Sequence, residues 1–218
     1  MFNLKKAPCL LALAATFFAT FSSVACASGL DSLEAFVKSA KTGRAEFSQV
    51  VTAPAKEGQA ARSKTSSGTF EFSRPSRFKF VYRKPFEQTI VADGQTLWLY
   101  DVDLNQVTAR KQSAVLASSP AALIASAANI QALQADFTLT AAPEKDGMEW
   151  VLASPKAKDG MLQAVRVGFK GQELAALEIV DSFGQRSVMS FTGLRVNTPL
   201  EPATFQFKPP AGADLIQQ

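Results

Sequence analysis

In the run Arg77-Phe78-Lys79-Phe80-Val81-Tyr82, aromatic rings occupy every even position while Arg77 and Lys79 hold odd ones. A period of two puts the rings on one face of an extended strand and the cations on the other, and it fits no helix. The rhythm persists along most of the chain. Ala45–Thr52, Gly68–Phe72, Arg77–Tyr82, Gln88–Ala92, Thr96–Asp101 and Gln106–Arg110 read as successive short strands, and Phe137–Thr140, Glu149–Ala153, Leu162–Phe169, Leu174–Val180, Arg186–Phe191 and Phe205–Phe207 resume the pattern. Turn formers separate them, among them Arg74-Pro75-Ser76, Lys84-Pro85, Asp93-Gly94, Lys158-Asp159-Gly160, Lys170-Gly171 and Phe183-Gly184. Asp93-Gly94 is the strongest hairpin signal, since both positions accept the positive φ of a primed turn. The chain is therefore expected to be mainly β, an antiparallel meander.

Two segments break the rhythm. Leu30, Leu33, Phe36, Val37 and Ala40 recur at helical spacing ahead of Gly43, which predicts one amphipathic helix. Ser119 as an N-cap followed by Pro120 opens a second helix to Ala128, rich in alanine and carrying Leu123 and Ile124. It serves either as a movable lid or as a crossover helix plugging one end of a barrel. Small and polar residues make Ala53–Ser67 a candidate mobile loop. Nothing after residue 28 marks a second domain.

Residues 1–27 read as an export signal: Lys5 and Lys6 precede an apolar run, and Ala25-Cys26-Ala27 forms a cleavage triplet. The expected organisation is a cleaved signal over 1–27 and one domain over 28–218, located in the periplasm. Cys26 also admits a second reading, as the lipidated first residue of an anchored protein. Cys9 and Cys26 are the only cysteines, so cleavage after Ala27 leaves none. The first 27 residues hold two lysines and no acid, leaving 21 basic against 19 acidic side chains. That near balance argues against nucleic-acid binding, which needs a concentrated basic face.

The chain has no histidine. It therefore lacks the usual general base of serine and cysteine hydrolases and the commonest metal ligand. Without a cysteine in the exported part, thiolate catalysis and Cys/His zinc sites are excluded there as well. Only carboxylate chemistry survives, with Glu71, Asp93, Asp101, Asp103 and Glu178 scattered through strands and turns and no pairing evident. The chain reads as no enzyme and as needing no cofactor.

The three rings of Phe78, Phe80 and Tyr82 gain company from Phe70 and Phe72 before them and Trp98 and Tyr100 after them. Neighbouring strands bearing such residues form a continuous aromatic wall, which fills a packed core or lines a ligand cavity. Three runs then take the sequence to a family: Gly68–Tyr82 (GTFEFSRPSRFKFVY), Pro85–Asp101 (PFEQTIVADGQTLWLYD) and Leu104–Val107 (LNQV), with the ending Phe205–Pro210 (FQFKPP). In their content and order they resemble the LolA family of lipoprotein carriers.

That resemblance implies an incomplete, open antiparallel β-barrel closed by short helices and working as a monomer. It implies acyl chains of lipoprotein cargo held on the aromatic wall and the lid, hence by Phe70, Phe72, Phe78, Phe80, Tyr82, Trp98, Tyr100, Leu123 and Ile124. The implied partners are an inner-membrane ABC lipoprotein transporter and the outer-membrane receptor LolB. Arg74, just before Pro75, matches the arginine that holds the lid shut in the family. Three rival readings stand beside this: a LolB-like receptor anchored through Cys26, a periplasmic interaction domain that binds no lipid, and a carboxylate-based hydrolase.

Overall fold

A computed structural model describes residues 28–55, 58–115, 127–157 and 161–218. Helix α1 spans Gly29–Ser39 and opens with a capping box, in which the Ser28 hydroxyl accepts from the Asp31 backbone N–H and the Asp31 carboxylate accepts from Ser28 N. Its apolar stripe, Leu33, Phe36 and Val37, is buried. The strands follow: β1 Thr42–Thr52, β2 Ser63–Ser73, β3 Arg77–Lys84, β4 Gln88–Ala92, β5 Thr96–Asp101, β6 Gln106–Lys111. A single helical turn, α2, covers Gln112–Val115, and α3 covers Ile130–Asp136 under an Asn129 cap. Then come β7 Phe137–Lys145, β8 Met148–Pro155, β9 Leu162–Lys170, β10 Glu173–Asp181 and β11 Arg186–Val196, a 3₁₀ turn at Pro202–Phe205, and β12 Asp214–Gln217. Among the described residues no helix is long and apolar enough to cross a membrane.

All twelve strands form one sheet in the order β12-β6-β5-β4-β3-β2-β1-β11-β10-β9-β8-β7. Every pairing is antiparallel except β12 against β6. The sheet is open, with β12 and β7 as its edges, yet it is strongly curved. Phe36 of α1 lies 6.0 Å, ring to ring, from both Phe72 on β2 and Phe169 on β9. Those strands are four steps apart, about 19 Å in a flat sheet, so the sheet wraps around α1. Its concave side is the inner face.

Several boundaries differ from the sequence reading. Ser63–Ser67, expected in a mobile loop, is strand, paired with Thr52–Ser48 of β1. Phe205–Phe207 is no strand, because the 3₁₀ turn carries Phe205 back toward the sheet; the twelfth strand is Asp214–Gln217. The β4–β5 hairpin turns on Gly94 and Gln95, with only Gly94 at positive φ (+107°). Asp93 instead caps it, its carboxylate accepting from Gln95 N, Thr96 N and Trp98 Nε1 at 2.8–2.9 Å. The expected signal (1–27, with Cys26) and most of the alanine-rich helix, including Leu123 and Ile124, lie outside the described residues; Ala127 and Ala128 are not helical.

Candidate functional site: an aromatic inner face

Register places Phe70, Phe72, Phe78 and Phe80 side by side on the inner face, with Phe70 opposite Phe80 and Phe72 opposite Phe78. Tyr82 lies opposite Gly68, which in turn pairs with Phe47 of β1. Since Gly68 has no side chain, the Phe47 and Tyr82 rings meet across it with centroids 4.9 Å apart. A Cβ there would also lie 1.9 Å from the Val81 carbonyl oxygen, so the position accepts only glycine. Phe70 stacks on Phe80 at 4.4 Å and tilts against Phe191 of β11 at 5.6 Å. Phe36, Phe47, Phe169 and Phe191 thus belong to the same aromatic cluster. The sequence reading missed them because each stands alone among smaller residues in its own element.

Trp98 and Tyr100 do not join this wall. On β5 the residues facing Phe78, Phe80 and Tyr82 through β4 are Leu97, Leu99 and Asp101, while Trp98 pairs with Val91 on the outer face. A two-residue hairpin pairs even with odd numbers, so parity inverts between β4 and β5. Both rings instead pack on Phe207 of the C-terminal segment, at 5.5 and 6.2 Å. They cover the fully buried Val91 and Val107 in a second, smaller core.

Arg74 stands where the C-terminal end of α1, the sheet and Ala127 converge. Its Nε donates to the Ala40 carbonyl and its Nη1 to the Ala127 carbonyl, both at 2.8 Å. The guanidinium carbon lies 5.3 Å from the Phe72 ring centre and 5.5 Å from that of Phe36. Burial lowers its pKa to about 10, which leaves it cationic at neutral pH. Nη2 is buried and has no hydrogen-bond partner among the described residues. Three hydrogen bonds therefore close this junction when the backbone bond from Arg74 N to Lys41 O is included.

Glu71, Glu178 and Asp93 have structural partners. Arg44 pairs with Glu71, and Glu178 accepts from Arg166 and Arg186 at 2.9 and 2.7 Å. Those hydrogen bonds and charges, Arg186 first, hold the Glu178 carboxyl below its usual range against the opposing effect of burial. Burial alone would raise Asp93, but its bonds from Thr96, Trp98 and Gln95 outweigh that and lower it. Among the described residues no cluster of three or more acidic side chains could hold a metal.

Beyond the rings the inner face opens into a cleft of about 700 Å³, lined in part by Gln49, Ser66, Tyr82, Gln88 and Asp101. The Tyr82 hydroxyl donates to Gln49 Oε1 at 3.0 Å, and Gln49 Nε2 donates to Ser187 Oγ at 2.8 Å. Burial pushes the Tyr82 phenol up to about 12, so it stays protonated.

Residues 38–208 match the sequence model of the family described as outer membrane lipoprotein carrier protein LolA. A protein from Albidiferax ferrireducens named outer-membrane lipoprotein carrier protein is 70% identical over 204 residues, covering 92% of this chain and 96% of its own. Proteins of the same name from Methylibium petroleiphilum and Leptothrix cholodnii are each 50% identical over 192 residues, covering 88% of this chain and 91% and 87% of theirs. With a family match across most of its length and relatives this similar, the chain belongs to the LolA family of outer membrane lipoprotein carriers.

Proposed function

We propose that this protein is a periplasmic carrier that shields the acyl chains of lipoproteins on its aromatic inner face. It accepts cargo from an inner-membrane ABC transporter and passes it to the outer-membrane receptor LolB. The observation that carries this reading is Arg74, whose guanidinium ties the C-terminal cap of α1, Ala40, to Ala127 against the phenylalanine cluster. A filled structural core needs no such polar clasp over its rings, whereas a face that must open does.

The energetics favour a clasp. Each acyl CH₂ moved out of water contributes roughly 0.8 kcal/mol, so two or three long chains in a rigid, dry pocket would scarcely leave. Hydrogen bonds that form only when the face is closed and empty offset part of that affinity, which lets the cargo move on. Arg74 supplies those bonds.

Adding the purified protein to spheroplasts that hold a radiolabelled lipoprotein tests this reading. A soluble one-to-one complex is the expected product. Cargo that stays on the membrane while the protein remains folded would overturn the carrier function.

A further inference from the structure

Along the inner face the chemistry changes on five adjacent strands, at one level on β3, β4 and β5 and one step further along on β1 and β2. Toward α1 the side chains are Ala45 and Phe47 on β1, Phe72 and Phe70 on β2, Phe78 and Phe80 on β3, Ala92 and Ile90 on β4, and Leu97 and Leu99 on β5. At the next step the same rows become Gln49, Ser66 (one step past Gly68), the Tyr82 hydroxyl, Gln88 and Asp101. A change within one step on five neighbouring strands is a property of the surface rather than of any one strand. It makes the concavity amphipathic along the strand axis, apolar and packed at the α1 end, hydrogen-bonding and open at the other.

We propose that the open end is a head-group subsite. The acyl chains point toward α1, and an uncharged, hydrogen-bonding head, the ester and amide groups of an acylated peptide terminus, sits among Ser66, Tyr82, Gln88 and Asp101. This rests on the carrier reading above and adds to it an orientation and a head-group preference. The cleft has the groups for such a head. The Ser66 and Gln88 side chains make no hydrogen bond among the described residues, although both line it. Tyr82 stays protonated there. The charges along the cleft, Arg62 and Lys64 against Asp101 and Asp103, balance, so an anionic phosphate gains no net attraction. Phe86 and Leu104 stand exposed on the same rim, where they shield the first methylenes below the head.

Two ligands separate the subsite from the carrier reading: a synthetic diacylglyceryl-cysteinyl lipopeptide with a neutral peptide, and a pyrene-labelled hexadecane that has tails but no head. In Ser66→Ala/Gln88→Leu the lipopeptide should bind about tenfold more weakly, the cost of one or two lost hydrogen bonds. Hexadecane should bind as well as before or more tightly. Equal loss of both ligands, or no loss of lipopeptide, overturns the subsite and leaves the carrier reading standing. So does phosphatidylglycerol competing as well as the lipopeptide. Failure of the unmodified protein to bind either ligand overturns the carrier reading itself. A photoreactive group on the lipopeptide, tested on the unmodified protein, makes the outcome independent of the variant's folding. A probe at the acyl terminus should label Phe70–Phe80, and one on the peptide should label residues 49–66 and 82–88. The reverse pattern, or uniform labelling, refutes the orientation.

Discussion

Arg74 shows how much one side chain can contribute through geometry alone. A lysine at that position would carry the same charge but would lack the fork that reaches Ala40 and Ala127 at once. Arg74→Leu removes the closing bonds and keeps the apolar contact with Phe72. The empty closed state then loses stability, cargo enters, and release slows on the order of tenfold, the equivalent of one or two hydrogen bonds. Transfer kinetics to an acceptor, measured with the variant, check this; unchanged release would sink the clasp. Glu178 gives a second residue-scale prediction. Its carboxyl is held below the usual glutamate value of 4.5, so its contribution to stability is present above that value and is lost as pH falls through the lower, folded-state value. Glu178→Gln should cost about 1 kcal/mol at pH 7, modest because Arg166 and Arg186 are half exposed. It should also flatten the acid limb of a urea-denaturation series below pH 4.5. Neither role is visible in the spacing of residues. Arg74 reads as a turn arginine until the family motif is laid over it, because its partners are backbone carbonyls 34 and 53 positions away.

At the scale of elements, local periodicity located eleven of the strands and α1, since each is set by its own alternation or stripe. The twelfth strand escaped because Asp-Leu-Ile-Gln is too short to show a period, and it is held by parallel pairing to β6. Helix α3 escaped for a similar reason: seven residues with one buried leucine, Leu133, give no stripe. Faces were harder than elements. The rings of β2 and β3 fell on one side as expected because Phe70 pairs with Phe80, even with even. The β4–β5 hairpin then inverted parity and sent Trp98 and Tyr100 to the outer face, a consequence of turn length that composition does not reveal. Their actual partner, Phe207, supplies a test. Phe207→Ala should destabilise the protein by about 2 kcal/mol, less than a fully buried phenylalanine costs, because its ring is only partly buried. Trp98 emission should shift to the red as its cover is lost. Acyl-ligand affinity should stay as it was, which a lining role for Trp98 would not permit.

The whole molecule has to reconcile a packed interior with cargo. Phe70 and Phe72 are fully buried, and Phe36 wedges between β2 and β9, so the rings occupy the space that acyl chains would take. The sheet is a continuous hydrogen-bonded ladder from β12 to β7 and cannot yield cheaply. Helix α1, by contrast, is joined to its surroundings by side-chain packing, by the Arg74 junction at its C-terminal cap and by two side-chain hydrogen bonds, from Ser32 Oγ to Glu149 and from Asn197 Nδ2 to the Ser39 carbonyl. Loading should therefore displace α1 from the concave face and leave the ladder intact. This predicts two effects of opposite sign in one sample. Saturating lipopeptide should raise the melting temperature, because it binds only the folded state; a hundredfold excess over Kd contributes about 2.7 kcal/mol. In the same sample, amide hydrogen exchange over Gly29–Ser39 and at Arg74 should become faster, while β1, β2 and β3 keep their protection. Slower exchange in α1 on loading would mean that cargo sits beneath a helix that never moves, and the gated reading of the inner face would fall with it.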